Sequence, residues 1–166
     1  PIKLNDETYF NIDIQNLNNL ITEKTSLIIL NSPSNPTGGL TSKKDMDAIV
    51  NILDKNPHVN ILSDEIYSRI VYKGSQFTSL LSYPNIRERL ILLDGWSKTY
   101  AMTGWRIGYS VWPKKYAKMS ERLNINSFSC TNAATQYAAI SALKGPQDCV
   151  ENMTNIFEKR GKMIFK

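Results

Sequence analysis

Short apolar runs separated by polar turns are the clearest pattern in this chain. Four runs have the length and hydrophobicity of buried strands: residues 26–30 (SLIIL), 59–64 (VNILSD), 89–94 (RLILLD) and 106–112 (RIGYSVW). The first run leads into residues 31–39 (NSPSNPTGG), a stretch whose Asn, Pro and Gly content predicts a tight turn.

Segments with a helical period lie between and after these runs. Apolar positions share one helical face in two sets, Leu17, Leu20 and Ile21, and Met46, Ile49, Val50 and Leu53. We expect Thr41 to be the N-cap of the second helix. Pro113 suits the first turn of a later helix, residues 131–143 predict another, and a last helix is predicted from near Asp148.

Apolar strands that alternate with amphipathic helices predict an α/β sandwich with a mainly parallel sheet. In such sheets, ligands bind beyond the carboxyl ends of the strands. Asn35 follows the first predicted strand, Asp64 ends the second, and Lys98 follows the third. The pattern therefore predicts that these three polar residues converge at one edge of the sheet.

Composition excludes several classes of function. The 166 residues fit one domain, and no run approaches the roughly 20 apolar residues of a membrane span. The net charge is +5, but Lys and Arg are mixed with acids along the chain, so we expect no nucleic-acid partner. The single histidine, His58, supports neither a histidine metal site nor a Ser-His-Asp triad. Cys130 and Cys149 form no CxxC motif and are typical of reduced thiols in a cytoplasmic protein.

The polar residues at the strand ends have the chemistry that pyridoxal phosphate requires. The amine of Lys98 can form a Schiff base with an aldehyde when it is partly desolvated. Asp64 can keep the cofactor's ring nitrogen protonated, so that the ring works as an electron sink. Asn35 and Tyr67 can donate to the phenolic oxygen, and Arg106 offers a planar cationic fork for the phosphate.

Each of these five residues also has a purely structural interpretation. Asn35 could belong to a simple turn, Asp64 could cap a turn, and Tyr67 could belong to the core or the surface. Arg106 could pair with a carboxylate, and Lys98 could be solvated. A structural reason for any one of these residues is common. Separate structural reasons for all five residues at strand ends are much less common. The combination favours a cofactor site.

Three motifs in this order resemble the class I/II aminotransferases, the fold type I pyridoxal-phosphate enzymes related to aspartate aminotransferase. They are NSPSNPTG at 31–38, SDEIY at 63–67 and SKTYAMTGWRIGY at 97–109. The resemblance extends over essentially the whole chain. It implies a three-layer α/β/α sandwich with one antiparallel strand, of which this chain supplies four neighbouring strands with the last antiparallel. Residues 1–4 are expected to be the remnant of a further strand.

The resemblance also implies a role for each matching residue. Lys98 corresponds to the lysine that holds pyridoxal phosphate and moves a proton at the substrate's α carbon. Asp64 corresponds to the partner of the ring nitrogen, and Tyr67 and Asn35 to the donors to the phenolic oxygen. Asn35 is also expected near the substrate carboxylate, and Arg106 is expected to bind the phosphate.

One position departs from the pattern of some relatives. They have a phosphate-binding serine three residues before the lysine, where this chain has Gly95. Ser97, next to the lysine, is a weaker candidate for the same role.

The resemblance predicts that the chain is a fragment of a longer enzyme. Residues 1–147 are expected to form part of the cofactor-binding large domain, and residues 148–166 the start of a connector helix to a small domain. The phosphate-gripping loop, the aromatic residue that stacks on the cofactor and the substrate-carboxylate arginine are expected outside this chain.

The function predicted from the resemblance is amino-group transfer from an amino acid to a 2-oxo acid. The expected cofactor is pyridoxal 5'-phosphate, and the full-length protein is expected to be a cytoplasmic homodimer without a metal, nucleic acid or membrane. Two alternatives remain open at this point. One is another fold type I enzyme, such as a lyase or a cyclising enzyme, and the other is an aminotransferase-like sensor domain of a transcriptional regulator.

Overall fold

The four predicted strands form one mixed sheet. A computed structural model describes residues 1–4 and 6–164. The strands are Leu27–Asn31 (β1), Asn60–Asp64 (β2), Leu90–Gly95 (β3) and Gly108–Val111 (β4). They lie side by side in chain order; β1–β2 and β2–β3 are parallel and β3–β4 is antiparallel. The predicted mainly parallel sheet with an antiparallel last strand is therefore confirmed.

The sheet has flanking helices, as the sandwich prediction required. The helices are Ile14–Leu20 (α1), Lys43–Lys55 (α2), Trp96–Thr99 (α3), Ala117–Phe128 (α4), Ala133–Lys144 (α5) and Asp148–Ile164 (α6). Short 3₁₀ turns lie at Leu80–Ser82, Pro84–Arg89, Thr103–Trp105 and Lys114–Tyr116.

The main core lies between one face of the sheet and the helices α1 and α2. Its buried members include Leu17, Leu30, Met46, Ile49, Val50, Leu53, Ile61 and Leu90. All four apolar positions predicted for the face of α2 are buried. Burial of each large aliphatic side chain contributes about 1.5–3 kcal/mol, so this face fixes the helix on the sheet.

Two predictions about helix starts were wrong by a short distance. Ser42, not Thr41, is the N-cap of α2, and its hydroxyl accepts a hydrogen bond from Asp45 N at 3.1 Å. Thr41 is buried instead, and its N–H donates to Ser32 Oγ at 2.9 Å. Pro113 does not lie in the first turn of α4, because a 3₁₀ turn separates the two.

The chain start also differs from its prediction. Residues 1–4 form no strand, and β1 lies at the end of the strand order in the described part of the chain. Two large side chains of β1 are exposed, Leu27 at 42% and Ile29 at 70%. The face of the sheet opposite α1 and α2 is therefore uncovered at this strand.

Candidate active site

The carboxyl ends of β1, β2 and β3 lie side by side. The strand register pairs Asn31 with Asp64, and Asp64 with Leu93. Asn35 lies in the turn after β1, and Lys98 lies in α3 directly after β3. The residues predicted to converge therefore come from adjacent strand ends.

Three of the predicted residues meet in one cluster. The Asn35 amide Nδ2 donates to the Tyr67 hydroxyl at 3.2 Å. The Lys98 Nζ lies 5.5 Å from the centroid of the Tyr67 ring. Lys98 is half-buried, and its ammonium has no hydrogen bond or ion pair with any residue that the structure describes. An amine without a hydrogen-bond or ion-pair partner among the described residues therefore lies near the ring of Tyr67, whose hydroxyl accepts from Asn35.

Asp64 is half-buried at the end of β2, and its two oxygens differ in their surroundings. Oδ1 accepts a hydrogen bond from Ile66 N at 3.2 Å. Oδ2 receives none from residues 1–4 and 6–164. One oxygen thus fixes the orientation of the carboxylate, and the other is available to a ligand.

Asn31 connects two parts of the site, and its role was missed in the sequence. Its Nδ2 donates to the main-chain oxygen of Asp64 at 3.1 Å, and its Oδ1 accepts from Asn35 N at 3.0 Å. The side chain thereby holds the turn that carries Asn35 against the strand that carries Asp64. The available signal was a polar residue that ends an apolar run.

Arg106 and Ser97, the predicted phosphate ligands, are not tied into this cluster. Arg106 is exposed with φ at 52°, and its Nη1 donates to Thr103 O at 2.9 Å. Ser97 is half-buried in α3, and its hydroxyl forms no hydrogen bond within the described ranges. Both side chains retain donors that protein atoms do not occupy.

Gly95, the departure from the phosphate-serine pattern, lies where β3 and β4 approach closely. It pairs with Gly108, and a Cβ at Gly95 would lie 2.8 Å from Gly108 Cα and 3.1 Å from Ile107 O. A contact of 2.8 Å with a backbone atom requires the strands to move apart. In this backbone, a serine at position 95 is therefore excluded for steric reasons.

Glu65, next to Asp64, is a buried carboxylate that sequence reasoning did not single out. It is 3% exposed and accepts hydrogen bonds from Ser63 Oγ and Leu80 N, each at 3.0 Å. Burial raises the pKa of its carboxyl group. Glu65 fastens the Leu80–Ser82 turn to the end of β2 and so supports the backbone that carries Asp64.

Asp94 is a second carboxylate that the sequence analysis left without a role. Its oxygens accept from Gly95 N at 2.6 Å, Tyr109 OH at 3.2 Å and Ser68 Oγ at 3.4 Å. Burial raises the pKa of Asp94, and burial together with the charge of Asp94 raises the pKa of Tyr109 to about 12. Asp94 thus connects the end of β3, which precedes Lys98, with β4 and with the segment that follows Tyr67.

Two grooves adjoin the site without enclosing it. One of about 710 Å³ runs along β1 and reaches Asn31 and Asn35. Another of about 340 Å³ lies beside Asn35, Tyr67 and Tyr72. Lys98 lines neither of these two grooves.

The comparison with known families is decisive. The family described as aminotransferase class I and II matches residues 1–166. The chain belongs to this family. The motifs that suggested the resemblance thus identified the family correctly.

Curated relatives extend well beyond the matched region. The chain is 46% identical over 167 aligned residues to an asparagine–oxo-acid transaminase of Streptococcus mutans, with 99% of this chain and 42% of the relative covered. It is 40% identical to a probable aspartate aminotransferase of Methanocaldococcus jannaschii, with 94% of the chain and 42% of the relative covered. The chain thus spans about two fifths of the length of these relatives.

Solved structures show the same fold. An aromatic aminotransferase from Pyrococcus horikoshii superposes with a TM-score of 0.94 at 32% identity, over 99% of this chain and 44% of that structure. The aspartate aminotransferase of Rhizobium meliloti gives 0.92 at 35% identity, over 96% of this chain and 40% of that one. The sheet and its flanking helices are therefore part of the aminotransferase large-domain fold.

Within residues 1–4 and 6–164, no helix has the length and apolar character needed to cross a bilayer. The same residues contain no cluster of three or more His, Cys, Asp or Glu side chains that could hold a metal ion.

Proposed function

We propose that this chain is the lysine-bearing part of a pyridoxal-phosphate-dependent aminotransferase. The reaction is transfer of an amino group from an amino acid to a 2-oxo acid. Family membership supports this function, and so do the transaminase and aminotransferase names of the relatives. We further propose that residues 1–147 belong to the cofactor-binding domain and residues 148–166 begin the connector to a small domain. Residues 165 and 166 lie outside the described ranges.

The observation that carries the proposal is the environment of Lys98. Lys98 is half-buried as a residue, and its amine has no hydrogen-bond or ion-pair partner among the described residues and lies 5.5 Å from the Tyr67 ring. A lysine with a purely structural role would normally pair with a carboxylate or extend into water. An amine left available beside hydrogen-bond donors suits covalent capture of an aldehyde.

The remaining side chains fit the other groups of the cofactor. Pyridoxal phosphate, when bound, supplies an electron sink for charge that develops at the substrate's α carbon. Asp64 offers one carboxylate oxygen without a protein donor, which can hold the proton on the ring nitrogen. The Asn35–Tyr67 pair can donate to the phenolic oxygen, and Arg106 and Ser97 have free donors for the phosphate.

The proton-transfer step is assigned to Lys98. With pyridoxal phosphate bound, the Lys98 amine would be the group that takes up and returns the proton of the substrate's α carbon. Asp64 would keep the ring nitrogen protonated, and the positive charge on that nitrogen favours this proton transfer. We propose that Asn35 contacts the substrate carboxylate as well as the phenolic oxygen.

The substrate class, the cellular location and the oligomeric state are further parts of this proposal. Relatives are named for asparagine, aspartate and aromatic amino acids, so the proposal extends to an amino acid and a 2-oxo acid as substrates. We propose a cytoplasmic homodimer for the full-length protein, without nucleic-acid, membrane or metal partners.

Borohydride trapping tests the assignment of Lys98. The full-length protein containing this chain is incubated with pyridoxal phosphate and reduced, and the labelled peptide is located by mass spectrometry. We expect the label on Lys98, and we expect Lys98→Ala to lose both the label and turnover. A label found mainly on Lys73 or Lys114 in the unmodified protein would refute the assignment.

A further inference from the structure

Gln147 forms four hydrogen bonds with its side-chain amide. Nε2 donates to Ala142 O at 3.0 Å and to Gly145 O at 2.8 Å. Oε1 accepts from the Tyr100 hydroxyl at 2.9 Å and from Arg69 Nη1 at 3.2 Å. Because a guanidinium can only donate and a carbonyl can only accept, this network allows one orientation of the amide.

The two donors to Gln147 Oε1 lie next to the candidate site. Tyr100 is two residues after Lys98 at the end of α3, and Arg69 is two residues after Tyr67. These segments are 47 and 78 residues away from Gln147 in the chain. The carbonyl oxygen of Gln147 therefore joins the turn that carries the Lys98 amine to the segment that carries the Tyr67 phenol.

The Lys98 turn is held at both ends by the same region of the chain. On the other side of Lys98, the Trp96 indole N–H donates to Ala139 O at 3.0 Å in a buried contact. Trp96 precedes Lys98 by two residues, as Tyr100 follows it by two. Ala139 lies in α5, and Gln147 lies between α5 and α6, so the contacts on both sides of Lys98 come from one stretch of the chain.

We propose that Gln147 is a positioning residue that holds Lys98 next to Tyr67 by binding Tyr100 and Arg69 at once. The inference rests on the proposed function for the roles of Lys98 and Tyr67. Correct placement of an amine relative to its reacting carbon affects the rate strongly, because misorientation lowers the fraction of productive encounters. Gln147 has no hydrogen bond to the Lys98 amine or the Tyr67 phenol. It acts through Tyr100 and Arg69, the two residues that donate to its carbonyl oxygen.

Three variants of the full-length protein separate positioning from helix capping. Gln147→Met removes all four hydrogen bonds at similar length. Gln147→Glu keeps an acceptor for Tyr100 and Arg69 but replaces both donations at the end of α5 by repulsion between a carboxylate oxygen and the carbonyls of Ala142 and Gly145. Tyr100→Phe removes one donor to Oε1 and leaves the cap intact. The matched control is Gln136→Met, since Gln136 is an exposed residue of α5 whose amide donates to Thr131 O at 2.8 Å.

Two measurements are made on each variant. The first is hydrogen exchange of residues 96–101 in the cofactor-free protein, compared with exchange in α2. The second is the rate at which borohydride-trapped pyridoxal phosphate accumulates on Lys98. We expect Gln147→Met and Tyr100→Phe to speed the exchange and slow the labelling by about three- to tenfold, the effect of losing one or two hydrogen bonds. Gln147→Glu should label near the unmodified rate, and Gln136→Met should change neither measurement.

The outcomes distinguish this inference from the proposed function. Equal labelling and exchange in Gln147→Met and the unmodified protein would overturn the positioning role. Equal damage in Gln147→Glu and Gln147→Met, with Tyr100→Phe unaffected, would also overturn it and assign Gln147 to the cap of α5. If the unmodified protein carries no label on Lys98, the proposed function fails, and the exchange of residues 96–101 alone decides the inference.

Discussion

Asp64 shows how a single side chain combines a local structural contact with a ligand-binding capacity. Oδ1 accepts from Ile66 N, as in a turn cap, whereas Oδ2 has no donor among the described residues. The sequence left a choice between cap and cofactor partner for this residue. The structure shows that the cap occupies one oxygen, so the two interpretations are compatible.

Charge removal at Asp64 should separate these two contributions. In the full-length protein we expect Asp64→Ala to lower kcat by about 10²–10³-fold, since charge stabilisation of this kind contributes a few kcal/mol. Asp64→Asn should lower kcat comparably but retain the hydrogen bond to Ile66 N, so its melting temperature should remain close to that of the unmodified protein. Steady-state kinetics and thermal unfolding provide the measurements. Near-normal kcat in Asp64→Asn would reduce Asp64 to a structural cap.

At the scale of elements, the end of α2 depends on a side chain from another segment. Arg89 lies in the 3₁₀ turn before β3, and its side chain is 14% exposed. Its Nη1 donates to Leu53 O at 2.8 Å and to Asn56 O and Val59 O at 3.2 Å each. These carbonyls lie at the end of α2 and in the loop to β2, so one guanidinium joins the helix end to the loop, although Leu53 O and Asn56 O also accept main-chain hydrogen bonds from Asn56 N and Val59 N.

Removal of this guanidinium should destabilise the protein. Since hydrogen bonds to a charged donor contribute about 1.5–3 kcal/mol each when buried, we expect Arg89→Met to cost at least about 2 kcal/mol. Arg87→Met is the matched control, because Arg87 lies in the same turn and is exposed, and among the described residues its side chain donates to Leu81 O alone. Chemical denaturation of both full-length variants measures the difference. Equal midpoints for the two variants would show that other donors replace Arg89.

At the scale of the whole molecule, the site is open. Asn35 and Arg106 are exposed, Lys98 lines neither adjoining groove, and Ile29 on β1 is 70% exposed. The chain covers about two fifths of the length of its relatives. Solvent that reaches an open site weakens the electrostatic contacts on which the proposed chemistry depends.

The 166 residues alone should therefore not catalyse transamination at a meaningful rate. Without enclosure, the cofactor is held on few sides and the substrate's α C–H bond is not aligned. The test is an assay of the purified chain with excess pyridoxal phosphate and a panel of amino acids and 2-oxo acids, with Lys98→Ala as control. Robust turnover that the substitution abolishes would show that this chain encloses its substrates sufficiently by itself.

Much of the fold and the composition of the candidate site could be predicted from local sequence. Apolar runs and helical periodicity predicted the four strands and the buried face of α2, because burial on one face imposes a period that a short window reveals. The motifs placed Asn35, Asp64, Tyr67 and Lys98 at strand ends and indicated the correct family. The N-cap of α2 was misplaced by one residue, because Thr41 and Ser42 have equivalent capping chemistry and burial decided between them.

Tertiary structure alone decided which side chains support the site. Asn31 contacts Asp64, 33 residues away, and Gln147 contacts Tyr100 and Arg69 across 47 and 78 residues. Such partners depend on strand register and helix docking, which no local window of sequence contains. The sequence by itself determined the elements and the types of reactive group, since both depend on near neighbours in the chain. Packing decided their hydrogen bonds and their exposure, since both depend on residues that only the folded chain brings within contact distance.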